Sequence, residues 1–266
     1  MLTSGPSPAA GRRRRAVVLV AAALAVAATA RLGRWQLDRA QQKLDLQARI
    51  TARGSLPPLP QADLPRTEPA AADQHYRLVQ LRGRWLSERT VYLDNRQMNA
   101  RQGFFVVTPL QLAPGDVVLV QRGWMPRDFT DRSRLQPLPD QPGEVLVTGR
   151  LAPPPSRLLA LDGTEQGLIR QNLDLAGFAA ETGLALRPLS VQQTQPTQPV
   201  PGGTPASSVW PDDGLLRTWP AVAVDVGKHH GYAFQWFSLS ALLVGLTLWF
   251  QIVRPWRRSV SSKPAA

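Results

Sequence analysis

Few side chains in this sequence are suited to chemistry. The only imidazoles are His75, His229 and His230, and there is no cysteine. A chain without thiols forms no disulfides, no Cys-ligated zinc or iron–sulfur centres, no c-type haem attachment and no thiolate copper carrier. Its three methionines build no Met-rich copper tract. The sequence has no G-x-S-x-G elbow, H-E-x-x-H pair, P-loop or G-x-G-x-x-G after a strand. His75 stands just before a predicted strand and reads as structural or exposed. The acids are scattered, and Asp212-Asp213 lies in a Pro-rich stretch where a solvated turn explains it. With no nucleophile–base pair in view, the residues point to a non-enzymatic protein.

His229 and His230 differ by position. They precede an uncharged 22-residue run, Tyr232 to Val253, by two or three residues. His229, Tyr232 and Trp236 have i, i+3, i+7 spacing and share one helical face. An imidazole, a phenol and an indole in a low-dielectric interface can hold a porphyrin, with the histidine as axial ligand. The same three residues also form an interfacial histidine beside an aromatic belt, which needs no ligand. The spacing leaves both readings open.

The elements that carry these residues follow from hydropathy. As a helix, Tyr232–Val253 is about 33 Å long, enough to cross a bilayer. Aromatic residues stand at both ends, Tyr232, Trp236 and Phe237 at one and Trp249 and Trp256 at the other. An earlier apolar run, Ala16 to Ala30, has only fifteen residues. It spans if Arg15 snorkels and the helix continues through Leu32, Gly33 and Trp35. Alternatively, Arg12–Arg15, this run and Ala28-Thr29-Ala30 are the parts of a cleaved signal peptide. Small-residue pairs at Ala21/Ala25, Ala23/Ala27 and Ala241/Gly245 are expected to let two such helices pack closely. Gln235 and Ser238 put polar groups inside the second run, which leans toward function or helix pairing.

Charge supplies the topology. The formal net charge is +12, from 31 Lys+Arg and 19 Asp+Glu. Arg12–Arg15 before the first run, and Arg254, Arg257, Arg258 and Lys263 after the second, carry +8 of it with no acid. The middle is therefore only +4, unlike a nucleic-acid-binding domain. Arg31, Arg34, Arg39 and Lys43 balance the first count, and the C-terminal tail breaks the tie. Both termini are expected in the cytoplasm and the middle outside. Arg outnumbers Lys 28 to 3, the usage of a GC-rich bacterial genome, which makes outside the periplasm.

Residues 35–53 read as an amphipathic helix continuing from the first run, and 54–74 as a Pro/Ala-rich loop. From Tyr76 the pattern becomes strands: 76–85, 90–93, 104–112, 117–121, 144–151, 168–173 and 184–192. Pro114-Gly115 and Pro142-Gly143 mark turns, and Phe178–Thr182 a helical turn or two before Gly183. Pro109 and Pro126 are expected at strand termini. Residues 195–214, with five prolines and three glycines, read as an irregular loop. The expected fold is a membrane protein in which two transmembrane α-helices flank a mainly antiparallel β domain, a small barrel or sandwich of α+β type. Its expected boundaries are a cytoplasmic tail at 1–15, a transmembrane helix at 16–35 and a periplasmic domain at 36–229. A second transmembrane helix at 230–253 and a cytoplasmic tail at 254–266 complete it.

Six strings then occur in order: LGRWQLDRAQQK (32–43), YRLVQLRGRWL (76–86), VYLDNR (91–96), TPLQL (108–112), VLVQRGWMPRD (118–128) and KHHGYAFQWFSL (228–239). In these the chain resembles the surfeit locus protein 1 family, assembly factors of haem–copper cytochrome c oxidase. The resemblance runs from the first apolar run to the second and is weakest over 135–215. It implies an uncleaved anchor, two spans in the bacterial inner membrane and a periplasmic domain, without enzymatic turnover. It also implies assistance to oxidase subunit I and other assembly factors as partners, besides membrane lipid and with no nucleic acid. Transient binding of haem a is implied for bacterial members, and the family places a histidine three residues before the tyrosine of its last span. His229–Tyr232 matches that pattern and His230 does not. On this basis His229 is the expected haem a axial ligand, with Tyr232, Trp236, Trp35 and Arg39 as its pocket and no other metal site. Gln36 lies beside them, and Arg34 or Arg39 would face the propionates. The alternative is a membrane-anchored interaction scaffold that never holds haem. Asp94-Asn95-Arg96 and Arg122-Gly123-Trp124 are expected to shape the domain rather than touch a cofactor.

Overall fold

The computed structural model describes residues 8–128, 130–131, 134–155, 167–200, 210–219 and 226–261. Lys263, and Pro201, Gly202, Gly203 and Pro205 of the Pro-rich stretch, lie outside the described residues. The elements are, in chain order, α1 (Pro8–Gly54), a 3-10 turn (Gln61–Asp63), α2 (Glu68–Gln74), β1 (Leu78–Trp85), a 3-10 turn (Ser87–Arg89) and β2 (Val91–Met98). Then follow β3 (Arg101–Ala113), β4 (Asp116–Pro126), β5 (Val145–Ala152), β6 (Ile169–Arg170), α3 (Leu175–Thr182), β7 (Leu186–Gln193) and β8 (Gln198–Pro199). The chain closes with α4 (Val226–Leu248), a π-helical turn (Trp249–Val253) and α5 (Arg254–Ser261). Two compact units result, 1–47 with 222–266, and 48–221.

In the first unit, α1 is one unbroken helix of 47 residues. The amphipathic segment expected at 35–53 is its C-terminal part. Two helices, Gly11–Gly54 and Val226–Arg257, are long and apolar enough to cross a membrane. Their less exposed positions repeat every three or four residues. On α1 these include Ala22, Val26, Thr29, Gly33, Gln36 and Ala40, and on α4 Val226, His229, Ala233, Trp236, Ser240, Leu243 and Thr247. A 3.5-residue repeat on both partners is the pattern of a coiled-coil-like seam. Thr29 meets Ser240 while Gln36 meets His229, so the two helices run antiparallel.

Of the small residues expected to make this contact, only Ala25 is half-buried. Ala21, Ala23, Ala27, Ala241 and Gly245 are exposed, and nothing lies within 4 Å of a Cβ placed on Gly245. Gly33 is the close-approach residue instead: a Cβ there would stand 2.9 Å from Phe237 Cζ. Gln235 and Ser238 are also exposed, and the polar residue turned into the seam is Ser240. Pro255 explains the π turn that follows α4. It has no N–H to donate one turn back, and its ring displaces the carbonyl there, so the backbone widens before α5.

The second unit is β-rich. Strand order is β1-β5-β7-β4-β3-β2-β6, and a further β1–β3 pairing joins Trp85 to Leu110. The path β1-β5-β7-β4-β3 therefore closes on itself as a small five-stranded barrel. Most pairs are antiparallel, but β4–β7 and β2–β6 are parallel. The interior draws on all five strands, including Leu81, Leu110, Val118, Val147 and Leu189. A second cluster packs α3, through Phe178, against Leu93, Val107 and Leu119. Alternation in β1 is strict, as its sequence requires.

Pro109 lies within β3 rather than at its end. Residues before it pair with β2 (Val91 with Val107) and residues after it pair with β1 (Trp85 with Leu110). A proline fits where the strand changes partner, because no ladder N–H is required there. The expected loop at 54–74 contains α2. Thr67 precedes it, Pro69 occupies its first turn, where the missing N–H has no helical partner, and three alanines follow. The Pro-rich stretch holds the short strand β8, paired to β5.

Candidate functional site

His229 sits in the α1/α4 seam, half-buried, with Nδ1 2.8 Å from Gln36 Oε1. A carbonyl oxygen only accepts, so Nδ1 carries the proton and donates. In the neutral ring Nε2 then has the lone pair, and is the atom able to ligate a metal. Gln36 reaches His229 because α1 stays helical past its apolar run and because Gly33, one turn earlier, lets the helices close.

The other expected pocket residues divide between faces. Trp236 is half-buried in the seam, two turns from His229. Tyr232 is 52% exposed and stands off the seam. Trp35 is exposed, with the Arg39 guanidinium carbon 5.7 Å from its ring centroid, a cation–π pair along the outer side of α1. Arg39 also donates to Gln42 Oε1 at 3.1 Å. Arg34 is exposed, as is His230. The structure thus joins His229 to Gln36, and Trp35 to Arg39. Thr29 and Ser240, which share a buried hydrogen bond of 2.6 Å, escaped sequence reasoning. The heptad spacing of small and polar residues is the signal that could have found them.

In the β domain the motif residues are internal. Arg96 is buried, donates to Gln171 O at 2.8 Å, and its own carbonyl accepts the Trp124 indole N–H at 2.9 Å. Asp94 and Asn95 form a bulge opposite one residue of β3, with Asn95 at φ 58°. Arg122 is the extra residue of a bulge in β4, between the pairs Gln121–Val107 and Gly123–Val106. The bulge turns its side chain inward, 4.7 Å over the Trp85 ring, 3.0 Å from Gln141 Oε1 and 3.7 Å from Asp213. Burial lowers its pKa to about 10, against the raising effect of Asp213. Gly123 is required by the strap at 210–219: a Cβ there would meet Leu215 at 2.7 Å. Trp124 and Leu216 exchange both backbone hydrogen bonds at 2.8 Å.

The solvated-turn reading therefore holds for exposed Asp212 and fails for Asp213, which is buried between Arg122 and Arg217. His75 is half-buried, and burial with nearby Arg53 lowers its pKa, keeping it neutral. It lines a groove of about 590 Å³ with Pro153, Pro154, Leu173 and Leu186. Among the described residues no group of three His, Asp or Glu is placed to hold a metal ion.

The motif strings thus mark bulges, buried arginines and one interhelical contact, spread over both units. The SURF1 family matches residues 23–241, most of the chain. This chain belongs to the SURF1 family. It is 30% identical to a SURF1-like protein of Drosophila melanogaster over 95% of this chain and 83% of that protein. It is 28% identical to a SURF1-like protein of Rickettsia bellii over 87% of each. Over 35% of this chain and 24% of the other, it is 33% identical to the cytochrome oxidase assembly protein SHY1 of Saccharomyces cerevisiae. The SURF1 match spans both His229 and Gln36, the contact between the two apolar helices.

Proposed function

We propose that this protein is a non-enzymatic assembly factor for haem–copper cytochrome oxidase in the bacterial inner membrane. In this reading α1 and α4 span the membrane with both termini in the cytoplasm, and the β domain is periplasmic. It assists maturation of oxidase subunit I by holding haem a transiently and works beside other assembly factors. The family and the name of its yeast relative support the assembly role. One observation supports the haem: His229 meets Gln36 through Nδ1, which leaves Nε2 with a lone pair at the end of a helix able to cross a membrane.

The residue types suit haem a, although Tyr232 and the Trp35–Arg39 pair lie off the seam that holds His229. His229 would supply the axial nitrogen, Trp236 and Tyr232 apolar and aromatic surface for the macrocycle, and Arg39, held against Trp35, a cation for a propionate. When bound, haem a would bring the iron centre that subunit I must receive. The chain's own residues orient that imidazole and offer the cation.

The test is purification from cells making haem a, followed by an optical spectrum. The wild-type protein is expected to carry haem a and His229→Ala to lose it. A deletion strain is expected to lose oxidase activity and the haem a absorption band. A haem-free protein that still restores oxidase activity would establish the scaffold role instead.

A further inference from the structure

We infer that Gln36 is a positioning residue for His229: from the opposite helix it fixes the tautomer and ring orientation that leave Nε2 as the ligating atom. The inference rests on the haem reading for the identity of the ligand, and on the structure for the geometry. The two atoms are 2.8 Å apart and come from residues 193 positions apart in sequence, so the contact depends on tertiary packing. Two features hold the register that makes it. Thr29 Oγ1 and Ser240 Oγ are hydrogen-bonded at 2.6 Å further along the seam. Phe237 lies over Gly33, where a side chain would push the helices apart.

The choice of an amide also has a physical reason. Its oxygen accepts the Nδ1 proton as a carboxylate would, without placing a second charge in an apolar seam. Groups that accept from the far nitrogen of a ligating histidine fix its tautomer and raise its basicity, and losing one weakens metal affinity about 10–100-fold. Without Gln36 the imidazole is free to carry its proton on Nε2, a form that cannot ligate through that nitrogen.

The experiment uses the full chain in detergent. Ring ¹⁵N spectra of haem-free protein, assigned with His229→Ala, are expected to show His229 protonated at Nδ1 and bare at Nε2. Gln36→Leu is expected to shift that population toward Nε2–H and to weaken haem a binding about 10–100-fold. Gln36→Glu should keep the tautomer and lower the midpoint potential of bound iron, because a carboxylate makes the imidazole a stronger donor. Gln36→Asn retains polarity without the reach, so it should behave like Gln36→Leu even if the leucine variant misfolds. If His229→Ala binds haem a as tightly as wild type, the haem reading fails, and the ¹⁵N spectra alone then judge Gln36. If His229→Ala loses haem a while Gln36→Leu and Gln36→Asn leave both tautomer and affinity unchanged, the positioning role is overturned and the haem reading stands.

Discussion

Thr29 and Ser240 meet hydroxyl to hydroxyl at 2.6 Å in the buried seam between two otherwise apolar helices. Thr29 Oγ1 lies 2.9 Å from Ala25 O, and Ser240 Oγ 3.1 Å from Trp236 O. Either hydroxyl can therefore fall back on its own helix, and the cross-bond decides register more than stability. Thr29→Val is expected to cost about 0.6 kcal/mol in detergent unfolding, the average for interhelical hydrogen bonds in membranes, and no more than about 1.7 kcal/mol. The chain has no native cysteine, so register is directly readable. Thr29→Cys with Ser240→Cys should oxidise to an intrachain disulfide, seen by mass spectrometry. Ala21→Cys with Gly245→Cys, at exposed positions, should not.

Asp116 accepts two hydrogen bonds from Arg187, each 2.6 Å, with Arg66 3.5 Å away. These bonds, opposed by partial burial and helped by the arginine charges, hold its pKa below the ordinary 3.8. The sign follows from linkage: a carboxylate with a depressed folded pKa contributes stability that is fully present above its unfolded pKa. That contribution is lost as pH falls through the lower folded value. Thermal midpoints of the wild type should therefore drop on acidification below about pH 4, and Asp116→Asn should flatten that decline while lowering stability at neutral pH. Equal slopes for both proteins would refute this role.

Much of this architecture is written in local sequence. Strict alternation gave β1, Pro114-Gly115 gave the β3–β4 turn, and two apolar runs gave α1 and α4. Asp94-Asn95-Arg96 and Arg122-Gly123-Trp124 read from sequence as residues that shape the domain, but not as bulges, which only the strand register reveals. What stayed hidden depends on packing partners distant in sequence. Asp213 looks like a solvated turn until the β4 bulge turns Arg122 toward it. Pro109 looks like a strand end until β3 is seen to change neighbours. The small-xxx-small spacing points to alanine pairs, but alanine is abundant throughout the chain, and the heptad of Thr29, Gly33, Gln36 and Ala40 carries the seam instead. Gln36 could be placed near His229 from the sequence, but its bond to Nδ1 could not.

The β2–β3 hairpin turns through Asn99 and Ala100 at φ 51° and 59°. With Met98 paired to Arg101, this two-residue loop has positive φ at both central positions, the geometry that favours Asn-Gly. The Cβ of Ala100 in that region costs about 1–2 kcal/mol. Part of this is offset by the greater entropy that glycine has in the unfolded chain. Ala100→Gly is accordingly expected to raise stability by up to about 1 kcal/mol. The unfolding midpoint of the full chain measures it, and a lower midpoint would exclude the strained turn.

Arg122, Asp213 and Arg217 form a buried triad in which one carboxylate serves two guanidinium groups. Their side chains are 3%, 2% and 8% exposed, so water does not screen them. The arrangement predicts an order of effects rather than a single loss. Asp213→Ala strands two buried cations and should cost about 3–5 kcal/mol, the range for breaking a buried pair from one side. Arg122→Met removes one cation, leaves Asp213 paired with Arg217 and keeps an apolar stem over Trp85, so its cost should be smaller. Because Asp213 lies in the strap that bridges Trp124 through Leu216, Asp213→Ala should also speed proteolysis within 210–219, while Arg122→Met should change it less. Thermal unfolding and limited proteolysis of the full-length variants decide the order. If Arg122→Met proves the more damaging, Asp213 does not hold the strap, and Arg122 acts mainly through Gln141 and Trp85.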